Sequence, residues 1–183
     1  EADAGQIDVN RRYALFYPEK RPFFLEGRDS FNFAGADYSP MQSVVHTRTI
    51  ANPIVGARLT GKLAAADSIA AIYAVDEQPD EAVEAGSPDY AQVAVVRYKR
   101  SLEGDSYVGG FYTGREEGGA FNRVYGGDGS LRVTQAAALG VYAFGSSTRP
   151  HGGDTTDGHS VLANYSHDNR KMNLYFQALD ISK

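Results

Sequence analysis

Cysteine is absent from the 183-residue sequence, and its absence excludes two kinds of site. Without thiols the chain forms neither disulfide bonds nor thiolate metal centres. No stretch approaches the run of about 20 apolar residues that a membrane-spanning helix requires. The net charge is −5, and no basic cluster offsets it. Nucleic acid is therefore not an expected partner.

Glycine and tyrosine are abundant instead, with 20 and 12 residues. Together with little sign of helix, this composition is typical of a chain of many strands and turns. The hydrophobic fraction of 42% places the chain outside the disordered class. One β domain is expected at this length. We predict an N-terminal linker and corner segment over 1–41 and an antiparallel β portion over 42–183.

The β portion divides into segments whose lengths centre on about ten residues, which is the length of a tilted strand that crosses a bilayer. Strands of soluble proteins are usually nearer about five or six residues. A tenth strand over 7–17 is a weaker prediction, because Arg11 and Arg12 interrupt its alternation. The nine predicted strands cover 43–50, 54–65, 68–76, 89–101, 106–115, 120–133, 136–145, 159–168 and 171–181.

Apolar and polar residues alternate along several of these segments. Leu59 is predicted to face away from Arg58, and Leu131 away from Arg132. Period-two alternation suits a sheet with one apolar and one wet face. In a bacterial barrel the apolar face meets lipid and the polar face lines the lumen. A soluble β-sandwich shows the same alternation with its apolar face inward, so this pattern does not decide between the two.

The connections between the predicted strands differ in length. In outer-membrane barrels, long loops lie outside the cell and short turns face the periplasm. An odd count of nine strands would leave an open edge, so we expect a piece of a larger barrel whose remaining strands pair with this one. The predicted loops are 77–88, 116–119 and 146–158, and the predicted turns are 103–105, 134–135 and 168–170.

A compact corner over 17–27 precedes the β portion. Pro18 and Pro22 bracket a charged triplet, and proline both fixes φ and lacks a backbone donor. We predict that the charges of this corner dock against the charged strand face, with Phe23 and Phe24 packed beneath them. Its candidate charges are Glu19, Lys20, Arg21 and Glu26.

The corner also carries a resemblance to a bacterial family. The sequence Pro-Glu-Lys-Arg-Pro-Phe-Phe at 18–24, with looser matches over 53–62 and 122–126, resembles the family called domain of unknown function 5916. In that family a carbohydrate-binding module of the family-9 type often precedes an outer-membrane β-barrel, and no catalytic residues are established. The resemblance implies the bacterial outer membrane as the location and its lipid as a partner. Glycans are a further implied partner, through such a module.

Seven charged residues fall on the polar face of the predicted strands. Lining a lumen, they would form either ion-pair ladders, which we favour, or a selective path for solutes. The planar fork of arginine also suits the carboxylates of the corner. These residues are Arg58, Lys62, Arg97, Lys99, Arg115, Asp128 and Arg132.

Other candidate chemistry is weaker. His151 and His159 flank a stretch with Asp154 and Asp157, and such donors can bind a divalent metal. The glycine-rich setting favours a solvated loop. Motifs of nucleophilic hydrolases and phosphate loops are absent from the sequence. We therefore expect no catalytic residue, no cofactor and no metal.

The prediction is an all-β, antiparallel up-and-down meander that forms part of a transmembrane β-barrel. Its expected role is a non-enzymatic pore or surface-exposed structural protein of the outer membrane. A soluble β-sandwich that binds carbohydrate is the rival interpretation, and an enzyme ranks third.

Overall fold

The computed structural model describes residues 21–25, 31, 50, 52–78 and 90–182, and every structural statement below concerns these residues. One helical turn, α1 (Pro22–Leu25), precedes a β region. The strands are β1 (Pro53–Lys62), β2 (Asp67–Glu77), β3 (Tyr90–Ser101), β4 (Tyr107–Glu117), β5 (Ala120–Thr134), β6 (Ala137–Arg149), β7 (Thr156–Asn169) and β8 (Met172–Ser182).

The eight strands form one sheet in the order in which they occur in the chain. Every neighbouring pair is antiparallel, which confirms the predicted all-β meander. The sheet is open, since β1 and β8 stand at its two edges. The predicted strands at 7–17 and 43–50 lie outside the described residues, apart from Ile50, which is not in a strand.

The meander places alternate connections at the same edge of the sheet. The connections 118–119 and 150–155 therefore lie at the same end of the strands as the C-terminus of β2 and the N-terminus of β3, and this end is here called the loop edge. The opposite ends of the strands are here called the turn edge. They carry the connections 63–66, 102–106, 135–136 and 170–171. This confirms that the predicted loops 116–119 and 146–158 lie together, opposite the predicted turns. Most of the predicted loop 77–88 lies outside the described residues.

The predicted lengths of two of these loops are wrong. Gly118 and Gly119 have φ values of 53° and 108° and form a two-residue hairpin turn between β4 and β5. Both central residues of such a turn need positive φ, and glycine adopts it without steric cost. The connection between β6 and β7 is also short, because Thr148 already pairs with Thr156. Much of the predicted loop 146–158 therefore belongs to β6 and β7.

One face of the sheet is buried over its central strands. On β2, Ala70, Ile72 and Ala74 are buried, whereas the intervening Tyr73 is exposed. The face that carries Ile72 is the buried face, and the face that carries Tyr73 is the exposed face. The register extends the buried face across all eight strands, and at β8 it too is open to solvent.

Two apolar clusters cover the buried face. Near β2 and β3, Phe31 and Ile50 pack against the sheet residues Ala70, Ile72, Ala74, Val93 and Val95. Each large aliphatic side chain buried in this way contributes about 1.5–3 kcal/mol. Residues from the N-terminal part of the chain thus complete the core of this half of the sheet.

The second cluster joins β4, β6 and β7 through aromatic contacts. Phe144 stacks on Tyr142 with ring centroids 4.3 Å apart, and it meets Phe111 edge-on at 4.8 Å. Leu162 of β7 completes the group. Gly126 of β5 pairs with Phe144, and a Cβ at that glycine would lie 2.9 Å from the Phe144 Cα. The absence of a side chain at Gly126 lets the ring lie across β5.

The exposed face has a different composition. Each of the eight strands presents at least one large apolar side chain there, and charged residues lie only toward the strand ends of the described sheet. The uncharged middle of this face is here called the apolar belt. Its exposed members include Leu59, Tyr73, Val96, Val108, Leu131, Val141, Val161 and Leu174.

Candidate functional site

An ion pair occupies the middle of the buried face. Arg97 Nη1 of β3 lies 2.6 Å from Asp128 Oδ1 of β5, and the two side chains are 1% and 0% exposed. Because β4 runs between these strands, the guanidinium must cross it. It does so at Gly109, where a Cβ would lie only 2.6 Å from Arg97 Nη1. The pair therefore depends on glycine at position 109.

Neighbouring groups complete the environment of this pair. Arg97 Nη1 also donates to the carbonyl of Gly110 at 3.3 Å. The Tyr107 hydroxyl donates to Asp128 Oδ2 at 2.9 Å. Lys99 Nζ lies 4.1 Å from the centroid of the Tyr107 ring. Since a buried charge is stable only when it is paired and hydrogen-bonded, these contacts fix the relative positions of β3, β4 and β5.

A cavity of about 230 Å³ lies beside Arg97 toward the turn edge. Its polar lining comes from Lys62 of β1, Ser68 of β2, and Arg97 and Lys99 of β3. Among the described residues that line it, none is a carboxylate. The described lining is therefore positively charged, and Asp128 pairs with the Arg97 guanidinium.

A second polar cluster lies on the buried face near the loop edge. Asp76 is 1% exposed. It accepts hydrogen bonds from the backbone N–H of Asn52 at 2.7 Å and from Arg115 Nη1 at 3.3 Å. Arg115 Nε lies 3.5 Å from Glu117, and the same carboxylate lies 3.4 Å from His151 Nε2. Carboxylates thus balance the positive charge at this end of the face.

The described part of the corner contacts the buried face near β1. Arg58 Nη1 donates to the carbonyl of Phe23 at 2.6 Å, and its guanidinium lies 5.4 Å from the Phe23 ring centroid. Arg21 Nη1 donates to the carbonyl of Ile50 at 2.6 Å. The side chain of Phe24, also predicted to pack beneath the charges, lies outside the described residues. Phe23 itself is 38% exposed rather than buried. Its ring is held at the surface by Arg58.

Three predicted corner charges, Glu19, Lys20 and Glu26, lie outside the described residues. The seven predicted strand charges all fall on the buried face in the observed register. Four of them, Lys62, Arg97, Lys99 and Asp128, lie at or beside the cavity. Arg58 and Arg115 belong to the separate groups described above.

Arg132 is not among the described residues that line the cavity. Its side chain is exposed, and its backbone amide donates to Ser106 Oγ at 2.9 Å. The sequence reasoning missed Asp76, Glu117 and Tyr107. A signal for Asp76 was present, because it continues the alternate positions of Ile72 and Ala74 on β2. The role of Tyr107 depends on pairing across strands and has no local signal.

The candidate metal ligands contact different partners. His151 lies beside Glu117, whereas His159 is in β7 and its Nε2 lies 2.9 Å from Asp180 Oδ2 of β8. Ser182 Oγ lies 2.9 Å from His159 Nδ1. Within the described parts of the chain, no group of three or more histidine, aspartate or glutamate side chains is placed to hold a metal ion.

Comparison with known proteins adds no relative. No family model matches the chain, and neither a curated protein nor a solved structure matches it. The resemblance to the domain of unknown function 5916 therefore stays a prediction. No helix among residues 21–25, 31, 50, 52–78 and 90–182 is both long and apolar enough to cross a membrane.

Proposed function

We propose that this chain is a strand-forming part of a β-barrel in the bacterial outer membrane, with a non-enzymatic role as a pore or a surface-exposed structural protein. The apolar belt carries the proposal. An exposed apolar surface that runs without charge across eight strands is costly in water. In a bilayer, lipid would cover it, since outward-facing residues of such barrels form an apolar band about 25 Å tall.

The borders of the belt support the same interpretation. Tyr90 and Tyr125 lie on the exposed face toward the loop edge, and Tyr98 lies toward the turn edge. Barrels carry aromatic girdles at both membrane interfaces, where a ring is in contact with lipid and its hydroxyl with water. The Tyr98 hydroxyl donates to Asp67 at 2.6 Å, so the polar end of this ring points toward charge.

Strand length is a further support. The strands span between 10 and 15 residues, and crossing a bilayer takes about 9–11 tilted residues. Lipid cannot satisfy the backbone groups of an open edge. The proposal therefore requires that β1 and β8 pair with each other or with further strands when the protein is in the membrane. Remaining strands of the barrel are thus its proposed protein partners.

The rival sandwich receives no comparable support. A sandwich packs two sheets face to face, whereas the described strands belong to one sheet. Its buried face is already covered near β2 and β3 by Phe31 and Ile50. Glycan binding remains an implication of the family resemblance, through a module of the family-9 type.

The test is refolding from urea into three media: buffer, detergent micelles and lipid vesicles. We expect β-sheet circular dichroism and cooperative unfolding in micelles and vesicles only. We also expect the folded protein to migrate differently on a gel before and after boiling. A cooperatively folded monomer in plain buffer would contradict the membrane proposal and favour the soluble alternative.

A further inference from the structure

We propose that the cavity beside Arg97 binds a small oxyanion from solution, of the phosphate or sulfate type. The register aligns its polar lining across three strands. Lys62 of β1 pairs with Ser68 of β2, which in turn pairs with Lys99 of β3. All three residues are on the buried face, so the two lysines stand on either side of the serine in the register, and Lys99 Nζ also lies 4.1 Å from the centroid of the Tyr107 ring. Directly opposed residues on neighbouring strands lie about 4.5–5.5 Å apart.

The charges around this row are unbalanced. Asp128 neutralises Arg97, while no ion pair recorded for the described residues includes Lys62 or Lys99. The acidic residue nearest in sequence, Asp67, is on the exposed face, where it contacts Arg100 at 3.5 Å and Tyr98. Two like charges around one cavity repel each other, and a bound anion would relieve this repulsion.

The chemistry of the lining suits an oxyanion. A lysine ammonium supplies three donors to phosphate or sulfate oxygens, and charge-assisted hydrogen bonds are stronger than neutral ones. The Ser68 hydroxyl donates to the carbonyl of Lys99 at 3.3 Å, so the donors for the ion come from the two lysines. The volume of about 230 Å³ can hold one such ion with part of its hydration shell.

The inference does not depend on the membrane location, because the site is formed by three paired strands in either medium. The test titrates inorganic phosphate, and separately sulfate, into the full chain in the medium in which it folds. Binding is followed by calorimetry and by the ³¹P resonance of phosphate. The variants are Lys62→Gln and Lys99→Gln, and the control is Lys171→Gln, which removes one exposed positive charge at the same edge of the sheet.

We expect saturable binding to the unaltered chain, and a loss of affinity of about tenfold or more in each cavity variant, since each removes a charged hydrogen bond. Lys171→Gln should bind like the parent. The proposal is overturned if the parent does not bind, if neither cavity variant weakens binding, or if the control weakens it equally. Circular dichroism of each variant verifies that the sheet is intact.

Discussion

Two ion pairs of the same chemistry occupy opposite faces of the sheet. Arg97 and Asp128 meet at 2.6 Å on the buried face, where their side chains are 1% and 0% exposed. Arg123 and Glu116 also meet at 2.6 Å on the exposed face, where both side chains are 41% exposed. The exposed pair has the better geometry, since a second contact of 2.8 Å makes it bidentate.

Burial, rather than distance, decides what each pair contributes. Water or headgroups can solvate either member of the exposed pair if its partner is removed, and such pairs contribute about 0–1 kcal/mol. The buried pair has no such alternative. Its net contribution to stability is modest, but removing one partner leaves an uncompensated charge inside the protein, which costs about 3–5 kcal/mol.

The largest expected effect is that of Asp128→Ala. It should lower the free energy of unfolding by about 3–5 kcal/mol, because Arg97 remains buried without its carboxylate. Urea titration in the medium that folds the chain measures the change. The double variant Arg97→Met with Asp128→Leu should recover most of the loss. If Asp128→Ala lowered the free energy of unfolding by less than about 1 kcal/mol, the buried pair would contribute no more than an exposed one, against this expectation.

The next effect tests what the exposed face contacts. Leu131→Arg places a charge in the apolar belt and should cost about 2–4 kcal/mol in lipid vesicles if the position lies near the midplane. Thr134→Arg, at the end of the same strand, is the control and should cost about 0–1 kcal/mol. Equal costs for the two variants in vesicles would mean that the exposed face is not covered by lipid.

Gly109→Ala should have a smaller effect than either. The added Cβ would lie 2.6 Å from Arg97 Nη1 and 2.7 Å from the Tyr98 carbonyl, so it should displace the guanidinium from Asp128 and press on the backbone of β3, at about 1–3 kcal/mol. Gly110→Ala is a matched control, because a Cβ there would lie 3.5 Å from its nearest neighbour, the carbonyl of Gly126. Urea titration should find Gly110→Ala close to the parent, and the opposite ranking would exclude steric dependence on Gly109.

The smallest effect is expected for Glu116→Ala. Removing this exposed partner of Arg123 should cost about 0–1 kcal/mol. Because salt screens exposed charges, the cost should shrink further at about 1 M ionic strength. Urea titrations at low and high salt measure both values. A cost comparable with that of Asp128→Ala would contradict the distinction between the two pairs.

The sequence predicted the faces of this sheet better than its contacts. Alternation follows from strand geometry, so Leu59 and Arg58 could be assigned to opposite faces from local pattern. The pairing of Arg97 with Asp128 could not be predicted from local pattern, because it depends on the register of β3 and β5, which lie on either side of β4. The short 118–119 turn was missed because adjacent glycines suit both a loop and a two-residue hairpin.

The site was predictable to a similar degree. Every strand charge named from the sequence lies on the buried face, yet only the register reveals that Lys62 and Lys99 flank Ser68. Phe23 was assigned to the interior because apolar runs usually pack inward. The cation of Arg58 instead holds its ring at the surface. Three of the corner charges lie outside the described residues.

The order of the strands has a kinetic consequence. Because each strand pairs with the next one in the chain, the sheet can grow by adding one hairpin at a time, with little entropy lost in closing the tight turns. Proteins dominated by contacts that are close in sequence fold faster than those with distant pairings. The Arg97–Asp128 contact forms only after two successive hairpins have docked, so we expect it to tighten late and to slow unfolding more than it speeds folding.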